Sequence, residues 1–158
     1  HESYPDKIHA SGAPYEQIAT IVQANLADIG IDVTLEPMET ATLKSTCVDG
    51  KQELFLWRWN EDSKVDFVYR DLFYTGSGSN YHHYSDSKAD EMIDIVATEK
   101  DQDKRLETAK ELQTYLVDAC PQVPLYIANL VVAYNKNLQG QYFYGGGNHD
   151  WRHAYIAE

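Results

Sequence analysis

The sequence is short of cations. Thirteen lysines and arginines stand against twenty-five aspartates and glutamates in 158 residues, a net charge of −12. No window forms a basic patch. Nucleic acids are held by neutralising their phosphates, so no nucleic-acid partner is expected. The same charge favours solubility and disfavours anionic membranes. Long apolar runs are missing too: none nears the ~18–20 residues of a membrane-spanning helix. His1-Glu2-Ser3-Tyr4-Pro5-Asp6-Lys7 has no apolar stretch behind it, so no signal peptide is read there. The only cysteines are Cys47 and Cys120. Two are too few for a disulfide scaffold, and their spacing fits no zinc motif. Two readings stay open: a pair of buried thiols, or one bridge between two helices.

Motifs of catalysis are absent as well. Gly76-Ser77-Gly78 does not match a nucleophile elbow. Gly145-Gly146-Gly147 is followed by no Lys-Ser/Thr pair and is no phosphate loop. Cys120 lies beside Pro121 with no histidine near it in sequence.

What is abundant is aromatic surface. Twelve tyrosines and three tryptophans offer apolar faces with polar tips, which suits cores and ligand clefts alike. A chain of this length is one domain and buries roughly 70% of its unfolded surface. Strand-like and helix-like segments alternate, which predicts an α/β layered fold. Lys7 to Ala10 reads as a short first strand. Pro14 opens a helix whose core face is Ile18, Ile21, Val22, Leu26 and Ile29, stopped by Gly30. Ile31 to Glu36 alternates and reads as a strand near a sheet edge. Thr40 caps a short helix to about Val48, and Asp49-Gly50 turns. Leu54-Phe55-Leu56-Trp57 is apolar without alternation and is expected centrally in the sheet.

The second half continues the pattern. Ser63-Lys64-Val65-Asp66 predicts a capping box opening a helix to about Tyr74. Residues 75–80 form a loop, and Asp86 opens a helix with Ala89, Met92, Ile93 and Val96 inward. A longer helix is predicted from about Gln102 to Ala119, with a stripe of Leu106, Ala109, Leu112, Leu116 and Cys120, and an Asp101–Arg105 pair. Pro121 ends it. Val123 to Tyr134 reads as a second apolar strand. From residue 137 the tail is rich in glycine and aromatics, and Gly145 to Gly147 breaks regular structure.

Ligands of open α/β sheets bind beyond the carboxyl ends of strands. That rule points at Trp57-Arg58-Trp59-Asn60-Glu61-Asp62. Indoles supply stacking area, Arg58 can grip a carboxylate, and Glu61 or Asp62 can meet an ammonium group. Tyr81-His82-His83-Tyr84 is the second candidate, as an aromatic ligand contact. Neighbouring residues on a strand point to opposite sides, so His82 and His83 are not expected to share a metal.

The order of features resembles the carboxyl-terminal lobe of extracellular solute-binding proteins of the dipeptide, oligopeptide and nickel transport family. The matching pieces are Ile18 to Leu26 leading into Asp28-Ile29-Gly30-Ile31-Asp32-Val33, the strand ending in Trp57, and Asp66-Phe67. Then come Asn80-Tyr81, Tyr84-Ser85-Asp86, Asp90-Glu91-Met92-Ile93, Arg105, Leu112-Gln113, and Ala119 through Tyr126. The resemblance implies a lobe of the type II periplasmic-binding-protein-like fold, with a mixed, mostly parallel sheet and helices on both faces. It implies that residues 1–158 are a single α/β lobe of a longer protein, with residues 137–158 packing on it or toward a missing amino-terminal lobe. It implies the substrate-binding component of an ABC importer, which holds a peptide or small solute between two lobes and hands it to a membrane permease. Such a protein is extracellular or periplasmic, often lipid-anchored, monomeric, free of cofactors and not an enzyme. Peptide-binding relatives place an aspartate at the position of Asn60; an amide there leaves any charge to Glu61 or Asp62. The competing readings are a metal- or thiol-dependent enzyme using His82, His83 and Asp86 or a Cys–His pair, and a sensory domain of a receptor.

Overall fold

The computed structural model describes residues 7–10, 13–59, 65–127, 132–143 and 149–157. In chain order the elements begin with β1 (Lys7–Ala10), α1 (Ala13–Ala27), β2 (Thr34–Pro37), α2 (Thr40–Val48) and β3 (Leu54–Phe55). α3 (Val65–Phe73), α4 (Ser87–Thr98) and α5 (Gln102–Ala119) follow. β4 (Leu138–Gln139), β5 (Tyr142–Phe143), β6 (His149–Asp150) and β7 (Tyr155–Ile156) complete the described chain.

The first three strands form a parallel sheet in the order β2-β1-β3, with Ile8 opposite Leu35 on one side and Leu54 on the other. The central strand is therefore β1, and Leu54–Trp57 lies at one side of the three rather than in the middle. The apolar run misled because both of its faces are covered even there. Leu54 and Leu56 join Ile8, Ala19 and Val33 in a cluster beneath α1. Phe55 and Trp57 turn the other way, onto Leu43 and Cys47 of α2. Strand side chains alternate between faces, so two unlike layers read as one continuous apolar stretch. The sheet thus has a helix on each face, as expected.

The stripe that α1 buries is Tyr15, Ala19, Val22 and Leu26. Ile21 and Ile29 are exposed and do not belong to it. Gly30 ends this segment with a left-handed φ of 83°. Thr40 is inside α2, not its cap; the cap position is Glu39, which makes no side-chain cap bond. Ser63 and Lys64 of the expected capping box lie outside the described residues.

A third layer is helical. Phe73, Ala89, Ile93, Val96, Ala109, Leu112 and Leu116 form one buried cluster among α3, α4 and α5. Both longer helices are capped as carboxylates cap: Asp86 accepts from the Lys88 and Ala89 amides, and Asp101 from those of Asp103 and Lys104. The Asp101 carboxylate is thus spent on the cap rather than on Arg105. Leu106 and Cys120 fall off the buried stripe and are exposed. α5 stops at Cys120, which takes a left-handed φ of 49° before Pro121.

The expected strand Val123–Tyr134 is not formed at its described residues, 123–127 and 132–134. Its side chains are largely open, Ile127 at 97%. A strand needs a neighbour for its backbone groups, and no described strand pairs with this one. In the tail, β4 pairs with β7 and β5 with β6, both antiparallel. Gly145 to Gly147 lie outside the described residues.

Candidate functional site

Beyond β3 the chain leaves the sheet through Trp57, Arg58 and Trp59. Alternation sends both indoles inward, where they pack with Met38 and Phe55 against buried Leu43, Cys47 and Tyr81. Arg58 points to the exposed side between them. The Trp57 ring meets Tyr81 edge-on, with centroids 5.3 Å apart and planes at 74°, the geometry aromatic quadrupoles favour. The two segments singled out in the sequence therefore meet at one place. Asn60, Glu61 and Asp62 lie outside the described residues.

The loop carrying Tyr81 is tied down by polar side chains. Asn80 is buried; its amide nitrogen donates to the Tyr74 carbonyl at 3.1 Å and the Tyr84 carbonyl at 2.7 Å. Its Oδ1 accepts from the Tyr84 amide at 3.0 Å. Gln52 Nε2 donates to the Tyr81 carbonyl at 2.6 Å. His83, with a left-handed φ of 53°, places Nε2 2.8 Å from the Cys47 carbonyl at the end of α2. That oxygen can only accept, so Nε2 carries the proton. Gly50 turns the corner beside this ring at a φ of 66° that disfavours side chains, although a Cβ there would make only ordinary contact, 3.4 Å, with His83 Nε2.

His82 and Tyr84 face a different layer. The His82 ring lies 5.5 Å from Phe73, and Tyr84 meets Phe73 edge-on at 6.4 Å. The two histidines thus serve separate elements, though they sit in a turn rather than on the strand the alternation argument supposed. No group of three potential metal ligands converges among the described residues. Burial, reinforced by the neighbouring His83, lowers the His82 pKa from its ordinary value. Burial likewise raises that of Tyr84, with the Asp86 charge adding to it. Asp86 is held low, first by the Ala89 amide and then by the Tyr115 hydroxyl, 2.9 Å away.

Cys47 and Cys120 are both free, the first buried and the second exposed, so neither open reading holds whole: there is no bridge, and only one thiol is buried. Burial pushes the Cys47 thiol up to about 11. His83 lies next to Cys47 in space but binds its main-chain oxygen. A protonated thiol whose neighbouring imidazole is engaged elsewhere is a poor nucleophile. The arrangement offers aromatic faces and hydrogen bonds instead. Four of its polar atoms are buried with no partner: Gln52 Oε1, Trp59 Nε1, His82 Nε2 and the Tyr84 hydroxyl. Sequence reasoning missed Gln52 and Asn80 as members of this site. A buried amide leaves no periodic trace, and only its place beside a turn or an aromatic pair hints at it.

Several known proteins resemble this chain. The family described as bacterial extracellular solute-binding proteins, family 5 Middle, matches residues 5–81. A probable D,D-dipeptide-binding periplasmic protein of Escherichia coli is 25% identical over 133 residues, covering 82% of this chain and 26% of its own length. Di/tripeptide-binding protein 2 of Pseudomonas aeruginosa is 27% identical over 128 residues, covering 78% of this chain and 24% of its own. The oligopeptide-binding protein AppA of Bacillus subtilis, solved with a nonapeptide, superposes with a TM-score of 0.76 at 20% identity, over 96% of this chain and 31% of that one. The chain therefore spans about a quarter of the length of these curated relatives. In its matching segment and order of elements this chain is similar to the bacterial extracellular solute-binding proteins, family 5, and it shares the fold of the Bacillus subtilis protein.

Proposed function

We propose that this chain supplies one wall of a ligand cleft in the substrate-binding component of an ABC importer, and that the ligand is a peptide. The observation that carries the reading is the convergence of Trp57, Trp59 and Tyr81 beyond the carboxyl end of β3, within the segment that matches the family. Aromatic faces with unpartnered polar atoms suit a ligand of alternating apolar and amide character. The printed names of the relatives, dipeptide- and di/tripeptide-binding proteins, support the same class. Binding of this kind needs complementary surface and closure against a second lobe, not a nucleophile. The reading places the working protein outside the cytoplasmic membrane, lipid-anchored or free, monomeric, and delivering to a permease.

Within it, Trp57, Trp59 and Tyr81 form the aromatic face. Arg58 and the segment Asn60, Glu61 and Asp62 supply polar and charged contacts to the ligand termini. His82, His83 and Tyr84 border that face. Residues 1–158 act as one lobe, with residues 137–158 at its boundary with the rest of the protein. Native mass spectrometry of the full-length protein tests the reading. A bound peptide mass that leaves on mild unfolding is expected; stoichiometric bound metal, or a non-peptide metabolite, would overturn it.

A further inference from the structure

We propose that Gln52 and His83 are positioning residues for the aromatic face: they fix the Tyr81 loop onto the α2–β3 corner and so set the angle at which Tyr81 supports Trp57. The proposal rests on the cleft reading above and adds to it the residues that hold its wall.

Three observations carry it. First, both contacts are long-range ties from one loop to one corner. Gln52 Nε2 reaches the Tyr81 carbonyl at 2.6 Å, and His83 Nε2 reaches the Cys47 carbonyl at 2.8 Å. Second, the corner is shaped for the second tie. His83 adopts a left-handed φ of 53°, and Gly50 beside its ring turns the corner at a φ of 66° that favours glycine. Third, these two bonds are the polar ties that accompany the packing of Tyr81 on Leu43, Cys47 and Trp57. Asn80 knots the loop to itself through Tyr74 and Tyr84, which sets its shape but not its place against α2. Tyr81 is buried, and its edge contact with Trp57 transmits the loop position to the indole. A ring pair held from behind loses less freedom when a ligand arrives, which is how preorganisation raises affinity.

The test uses 5-fluorotryptophan in the full-length protein, with the Trp57 fluorine resonance assigned by Trp57→Phe. Gln52→Glu keeps size and shape but has no proton to donate to the Tyr81 carbonyl at neutral pH. His83→Ala removes the second tie, while His83→Gln keeps an N–H donor at similar reach. The resonance is expected to move in Gln52→Glu and His83→Ala and to return toward wild type in His83→Gln, with the far-ultraviolet circular dichroism unchanged. Affinity for the probe peptide trialanine, measured by calorimetry, is expected to fall about three- to tenfold in the first two variants. A resonance that stays put in both variants overturns the proposal whatever the binding result. Equal affinity in all variants overturns it too. A wild-type protein that ignores trialanine counts against the peptide reading instead, and the fluorine resonance still decides the positioning role.

Discussion

Replacing Asn80 should loosen the site more than its small size suggests. The side chain is buried and makes three hydrogen bonds, to the Tyr74 carbonyl, the Tyr84 carbonyl and the Tyr84 amide. Asn80→Ala removes all three at once and leaves the main-chain groups to find water or go without. At about 0.5–1.5 kcal/mol for each neutral bond, the loss over the three is about 1.5–4.5 kcal/mol. Asn80→Asp separates the parts. The new carboxylate still accepts from the Tyr84 amide, but it faces two carbonyl oxygens with no proton to offer. Hydrogen exchange of the full-length protein reads this directly. The Tyr84 amide is expected to lose protection in Asn80→Ala and to keep most of it, relative to that variant, in Asn80→Asp. Both variants should be less stable than wild type at pH 7. Lowering the pH should help Asn80→Asp selectively, because the protonated acid regains a donor. Wild-type protection of Tyr84 in Asn80→Ala, with stability within about 0.5 kcal/mol, would refute the reasoning.

Other consequences are sharper in contrast than alone. Leu112→Ala empties a fully buried position and should cost about 2–5 kcal/mol, whereas Leu106→Ala, on the exposed face of the same helix, should cost under about 0.5 kcal/mol in urea unfolding. A thiol reagent should label Cys120 in the native protein and Cys47 only after unfolding, since one is exposed and the other is buried with its pKa near about 11; two labels of equal rate would contradict this. His82 has a depressed folded pKa, so its contribution is intact above the ordinary imidazole value of about 6.5 and is lost as pH falls toward the folded value. Melting temperature should therefore drop more between pH 7.5 and 5.5 in wild type than in His82→Phe, and equal drops would speak against it.

Much of the helical half was legible because its signals are local. Asp86 announces α4 as a side chain that satisfies first-turn amides and Pro121 closes α5, whereas Asp101, read as a partner for Arg105, instead caps α5. The phase of a stripe is harder: Ile21 and Ile29 are apolar and exposed while Ala19 is buried, because packing rewards fit rather than hydropathy. Sheet order was not legible. Ile8, the fully buried centre of the sheet, sits in a four-residue strand, while the continuously apolar run at Leu54 to Trp57 took a side position. Pairing depends on partners far away in sequence, and Val123 to Ile127 shows the same limit, being apolar with no described strand beside it. At the site, the meeting of Trp57 with Tyr81 follows from two segments flagged separately, but the ties through Gln52, Gly50 and His83 join residues 29 and 36 positions apart and leave no pattern in the sequence.

The central claim is that ligand meets this aromatic face. The most direct measurement is a calorimetric titration of the full-length protein and its Trp59→Ala variant with the peptide that co-purifies with it. Trp59 packs half-buried on the cluster with its indole nitrogen unpartnered, so its loss should weaken binding about tenfold or more while far-ultraviolet circular dichroism shows the variant still folded. Equal dissociation constants for the two proteins would contradict the account and leave Trp59 a packing residue.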